Sequence, residues 1–143
     1  MIGLIISGHG HFASGLRTSI NLIAGEPTNI EYVDFEKTDS TETLKEKYYM
    51  ALNNLKDCTA ILGLSDLAGG SPFKTLVEVK TEIEKPMEVI GGTNLPMALE
   101  ISMTKDIFED ISSLSESAIE VGKNGVVKFE LKAHEEIECE DGI

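Results

Sequence analysis

Short apolar runs alternate along the first hundred residues with segments whose apolar positions recur every three or four places. Residues 2–6 are a near-continuous apolar run, suited to a strand covered on both faces, and residues 59–64 are a second. Residues 30–35 and 87–90 are shorter strand candidates, the latter ending at Gly91-Gly92. Between them Leu16, Ile20 and Ile23 keep helical spacing until Gly25 and Pro27 stop the helix. A second helix starts at Asp39, placed to cap it while Glu42 reaches back, and Leu44, Tyr48, Leu52 and Leu55 form its apolar stripe. Ser71-Pro72 opens a third, with Ser71 as N-cap, Pro72 at the first helical position, and Phe73, Leu76, Val77 and Ile83 facing inward. Asn94-Leu95-Pro96 opens a fourth in the same style. This alternation predicts an α/β fold: a doubly wound, mainly parallel four-stranded sheet with helices on both faces.

The pattern then changes. Ile107, Ile111, Leu114, Ala118 and Val121 read as another helix, broken by Gly122 and by Asn124-Gly125. Val127, Phe129 and Leu131 alternate with Lys128 and Glu130, the period of a half-buried strand. That strand has no hairpin partner in sequence, so it must pair with an edge of the sheet or with another subunit. Beyond it Glu135, Glu136, Glu138, Glu140 and Asp141 form an acidic tail, read as a solvated end over residues 133–143 after a single domain at 1–132.

Composition narrows the function classes. With 41% hydrophobic and 26% charged residues, the chain is globular in type. A formal net charge of −13 repels nucleic acid and anionic lipid, and favours partners with basic surfaces. Cys58 and Cys139 stand far apart without metal-ligand spacing, so neither a disulfide framework nor a zinc cage is expected. The N-terminus lacks a basic flank and no apolar run nears the roughly 18 residues of a membrane span, so a soluble cytoplasmic protein is expected.

Ligands of open parallel sheets collect beyond the carboxyl ends of the strands, where strand order reverses. Three glycine-rich loops qualify: residues 7–11, residues 65–72 and residues 91–94. His9 stands between Gly8 and Gly10, presented rather than packed, and the free nitrogen of a neutral imidazole is a nucleophile toward phosphorus. Asp66, at the end of the neighbouring buried strand, is placed to orient that ring, although a carboxylate there also suits a turn. Gly69, Gly70 and Ser71 offer backbone N–H groups, a hydroxyl and a helix N-terminus to phosphoryl oxygens, while Ser71 also serves as a plain cap. His11 and Asn94 are secondary pocket residues. His9-x-His11 as a metal pair lacks a third ligand at suitable spacing, His134 lying in the tail, so no metal and no cofactor are expected. Neither a nucleotide-binding glycine motif nor an acyl-transfer nucleophile motif is present.

These segments, together with Val33-Asp34-Phe35, Ser71-Pro72-Phe73 and the run from Val89 through Gly91-Gly92-Thr93-Asn94 to Met97, make the chain resemble the enzyme IIA domains of the mannose family of the bacterial phosphoenolpyruvate-dependent sugar phosphotransferase system. The resemblance covers most of residues 1–130. It implies that His9 is the phosphorylated histidine, Asp66 the carboxylate beside it and Ser71 a hydroxyl near the phosphoryl group; His11 departs from the family pattern. It also implies a homodimer that exchanges a C-terminal antiparallel strand, which would answer the unpaired segment at 126–131. The relay implied runs from the histidine-containing phosphocarrier protein to His9, then to the enzyme IIB component, with the membrane IIC and IID components downstream. A phosphocarrier domain serving a dihydroxyacetone kinase is the near alternative. A regulatory module that binds a small anion, and a metal hydrolase using His9 and His11, are the distant ones.

Overall fold

In a computed structural model, residues 1–131 are described, and they form four strands and five helices in strict alternation up to the last helix. The order is β1 (Ile2–His9), α1 (Phe12–Ala24), β2 (Ile30–Phe35), α2 (Thr41–Asn54), β3 (Ala60–Ser65), α3 (Ser71–Glu82), β4 (Met87–Ile90) and α4 (Leu95–Thr104). A 3-10 turn (Lys105–Ile107) then leads to α5 (Ile111–Asn124). The strands make one parallel sheet in the order β2-β1-β3-β4, with β1 paired to both β2 and β3. The fold class read from the pattern is the one observed. The acidic stretch at 133–143, with His134 and Cys139, lies outside the described residues.

The two central strands, β1 and β3, are the two near-continuous apolar runs, because only strands covered on both faces need apolar side chains at every position. One core lies on the face that carries Leu4, Ile6, Leu62 and Leu64, against Ala13 and Ile20 of α1, Met97, Ala98 and Ile101 of α4, and Leu114 and Ala118 of α5. The other lies on the face of Ile5 and Ile61, against Leu44, Tyr48 and Ala51 of α2 and Leu76 and Val79 of α3. Cys58 is buried in this second core, as a small hydrophobe would be.

Local chemistry departs from expectation at several helix ends. The cap of α2 is Ser40, not Asp39: its hydroxyl accepts from the amide of Thr43, and the Thr43 hydroxyl accepts from the amide of Ser40. Asp39 instead bridges the Glu36 amide, the Thr43 hydroxyl and Lys47. The cap of α3 is Gly70, so Ser71 and Pro72 are both inside the helix. Val77 and Ile23 point partly into solvent, and Ile107 is exposed on the 3-10 turn rather than inside a helix. Gly122 lies within α5 and does not end it.

Residues 126–131 form no strand within the described chain. Val126, Val127, Phe129 and Leu131 are all exposed, because the segment leaves α5 without meeting either edge of its own sheet and so finds no ladder and no apolar surface. Among the described residues no helix is long and apolar enough to cross a membrane.

Candidate functional site

The connection from β1 goes outward to β2, and the connection from β2 returns across β1 to β3. Strand order therefore reverses between the carboxyl ends of β1 and β3, and the crevice there is where such a sheet offers a site. His9 is the last residue of β1; Asp66 directly follows β3, its amide donating to the carbonyl of Ser7 at 3.2 Å. One carboxylate oxygen of Asp66, Oδ2, accepts from the His9 backbone amide at 2.9 Å and lies 2.8 Å from His9 Nδ1. A carboxylate only accepts, so Nδ1 is the protonated nitrogen and Nε2 of the neutral ring carries a free lone pair. The His9 side chain is 46% exposed and that of Asp66 15%, which gives an accessible nucleophile on a sheltered support.

The ring is held on its other side too. Phe35, paired with His9 in the β1–β2 register, meets the imidazole edge-on, with centroids 5.9 Å apart. Below the ring, Gly69 takes a φ of 82°, a left-handed turn that suits glycine, and brings Gly70 against His9. A Cβ at Gly70 would stand 2.8 Å from His9 Cε1, so a side chain here would displace the imidazole. Among the described residues no side chain caps α3, and its first intrahelical bond is donated by Lys74 to Gly70. The amides of Ser71 and Phe73 are thus free at a helix start that abuts the imidazole, a setting that attracts anionic oxygen. His9, Asp66, Gly69, Gly70 and Ser71 are brought together.

His11 and Asn94 are not part of that group. Adjacent residues on a strand face opposite ways. Phe35 belongs to the α2–α3 side, whereas Asp34 reaches α1, taking the Ser14 amide at 3.0 Å and the Ser14 hydroxyl at 2.6 Å. His9 meets Phe35 and His11 meets Asp34, at 3.3 Å, so the two imidazoles engage residues that face opposite sides of β2. Burial acts to raise the Asp34 carboxyl, but the bonds from Ser14 and from His11 outweigh it and hold the group below its ordinary range. Both polar ends of Asn94 are engaged elsewhere: Oδ1 accepts the Met97 amide and caps α4, and Nδ2 donates to the carbonyl of Gly122 in α5.

Two further side chains, Phe35 and Asp34, act through contacts that only the folded sheet makes. The motif Val33-Asp34-Phe35 is the available signal for both, but its chemistry depends on which face each side chain takes.

Residues 3–119 match the family model described as PTS system fructose IIA component. This chain belongs to that family. The "PTS system fructose-specific EIIA component" of Bacillus subtilis (strain 168) is 34% identical over 127 residues, covering 85% of this chain and 86% of that protein. The "PTS system mannose-specific EIIAB component" of Escherichia coli (strain K12) is also 34% identical over 131 residues; the match takes in 92% of this chain but only 40% of that longer protein. Among solved structures, the phosphotransferase system component EIIA from Streptococcus agalactiae superposes with a TM-score of 0.81 at 29% identity, covering 90% of this chain and 97% of that one. As a IIA component of the sugar phosphotransferase system, the protein is a phosphocarrier that works through a phosphohistidine, between a phosphocarrier donor and a IIB acceptor.

Proposed function

We propose that His9 is the residue that carries the phosphoryl group. The observation behind this is the 2.8 Å contact between His9 Nδ1 and Asp66 Oδ2 at the reversal of strand order, which directs Nε2 outward. In the transfer, the Nε2 lone pair forms the new N–P bond while the N–P bond of the incoming phosphohistidine breaks and its electron pair returns to the donor's ring. No proton has to move, because Nδ1 keeps its hydrogen and Asp66 balances the positive charge that the ring gains. The free amides of α3, with the Ser71 hydroxyl, receive the phosphoryl oxygens, and the same geometry serves departure toward the IIB component. His11 stands at the rim, engaged with Asp34 of β2, and Asn94 supports the site by fixing α4 against α5.

The same reading extends to the assembly. Two copies pair by exchanging residues 126–131 as an antiparallel strand, the protein works in the cytoplasm, and the phosphoryl group reaches the sugar through the membrane IIC and IID components. The relatives' names span fructose, mannose and sorbose, and the choice among such sugars rests with the membrane components.

The test is incubation with phosphoenolpyruvate, the general phosphotransferase proteins and the full chain, followed by intact-mass analysis. An increment of about 80 Da that is lost in acid and kept in base is expected, present in His11→Ala and absent in His9→Ala. A label that survives His9→Ala would move the site; binding of phosphate without covalent gain would favour a small-anion module.

A further inference from the structure

Beneath the site lies a buried polar link between Ser7 and Tyr48, the latter a position of the apolar stripe of α2. Tyr48 of α2 is fully buried, and so is Ser7 of β1, two residues before His9. Their hydroxyls are 2.7 Å apart. Ser7 Oγ also lies 2.8 Å from the carbonyl of Val33 in β2, and Tyr48 Oη lies 3.1 Å from the carbonyl of Pro72, in the first turn of α3. The two hydroxyls have two protons for these three contacts, so as long as the 2.7 Å bond between them is kept, one carbonyl is released. When Tyr48 donates to Pro72, Ser7 donates to Tyr48; when Ser7 donates to Val33, Tyr48 donates to Ser7. Burial holds the phenol protonated, pushing its pKa upward, and the charge of Asp66 pushes in the same direction, so donation is its permanent role.

The link joins the two parts of the site that have to keep a fixed separation. Ser7 is on the strand that carries His9, and Pro72 sits between Ser71 and Phe73, whose free amides face the phosphoryl group. We propose that Tyr48 is a positioning residue for phosphoryl transfer: its hydroxyl ties the start of α3 to β1 and so sets the distance from the α3 donors to His9 Nε2. This rests on His9 as the acceptor.

Tyr48→Phe removes only the hydroxyl, and Ser7→Ala removes the other half of the link. In rapid-quench labelling of the full chain by the phosphorylated upstream carrier, each variant is expected to lose about tenfold in rate at saturating carrier, with the carrier's half-saturation concentration within about twofold of wild type. The phosphorus NMR resonance of the loaded histidine is expected to shift in both. The double variant should be no slower than the slower single one, since both cut one link. A lowered Tm with wild-type saturating rate and an unmoved resonance would show a merely structural hydroxyl and overturn the proposal. Should Tyr48→Phe fail to fold, Ser7→Ala decides by the same criteria. Failure of the His9 reading shows itself separately, as a label retained in His9→Ala, whereas failure here leaves the label on His9 and its rate unchanged.

Discussion

The imidazole of His9 is confined on three sides by groups of different kinds: a carboxylate at Nδ1, an aromatic edge from Phe35 and the bare backbone of Gly70. The last is the most fragile. Gly70→Ala places a methyl 2.8 Å from Cε1, and since the neighbouring backbone belongs to the α3 start, the ring has to swing away from Asp66. We expect a stably folded variant whose labelling rate falls about a hundredfold, the size of effect an ångström of misplacement produces, checked by rapid quench beside a thermal melt. His9 and Asp66 were legible because a glycine-flanked histidine and an acid at the tips of two apolar runs carry their own signal. Phe35 was not: nothing in its neighbours tells whether it faces the β1 imidazole or solvent until the register His9 with Phe35 is fixed. Tyr48 was hidden for a different reason, since helical spacing marks a buried position without distinguishing a ring that packs from a hydroxyl that links.

At the level of elements, the site depends on how helix starts are tied to strand ends. The α1 helix begins directly after the site loop, yet no side chain from its own N-cap, His11, closes it. Asp34 does so from β2, accepting from the third-position amide of Ser14 and from its hydroxyl. Asp34→Ala is therefore expected to cost about 1 kcal/mol, the usual loss of a cap, read as a lower denaturant midpoint with an unchanged slope. The pH dependence follows from the direction of the shift. The native carboxyl sits below its ordinary value of 3.8, so the folded state binds this proton less readily than the unfolded one. Its contribution is complete above that ordinary value and is lost as pH falls through the lower native one. Equilibrium unfolding of wild type against Asp34→Asn should accordingly converge in strong acid and diverge toward neutrality. The element reading slipped at two other helix starts, where Ser40 replaced Asp39 and Gly70 replaced Ser71, because a cap is chosen by backbone angles that composition does not encode. Gly122 misled similarly. It read as a helix breaker, but it lies inside α5 where a Cβ would meet Met97 Cε at 2.6 Å, so its use is close approach to α4.

For the whole molecule, the alternating pattern of β1 through α4 specified the sheet because buried parallel strands and amphipathic helices have different periods. The segment at 126–131 shows the limit of that logic. Its period of two was plain, but a period tells only that one face needs cover and not which chain supplies it. Among the described residues of the single chain, Val127, Phe129 and Leu131 are exposed and β4 is an edge of the sheet with one neighbour, β3. An unpaired apolar segment of strand period and an unpaired edge on one molecule complement each other on two, which is the physical basis of the proposed exchange. Phe129→Asp puts a charge into that seam and should convert a dimer to a monomer in sedimentation equilibrium. Each copy carries a formal charge of −13, so the copies repel at long range, and wild-type dimers should tighten as salt rises while the seam remains apolar. Labelling separates assembly from chemistry. His9, Asp66, Gly70 and the α3 start all come from one chain, so the Phe129→Asp monomer should still load at a rate within a few-fold of wild type. A monomer that fails to load would mean that the partner strand, entering beside β4, completes the site rather than merely sealing an edge.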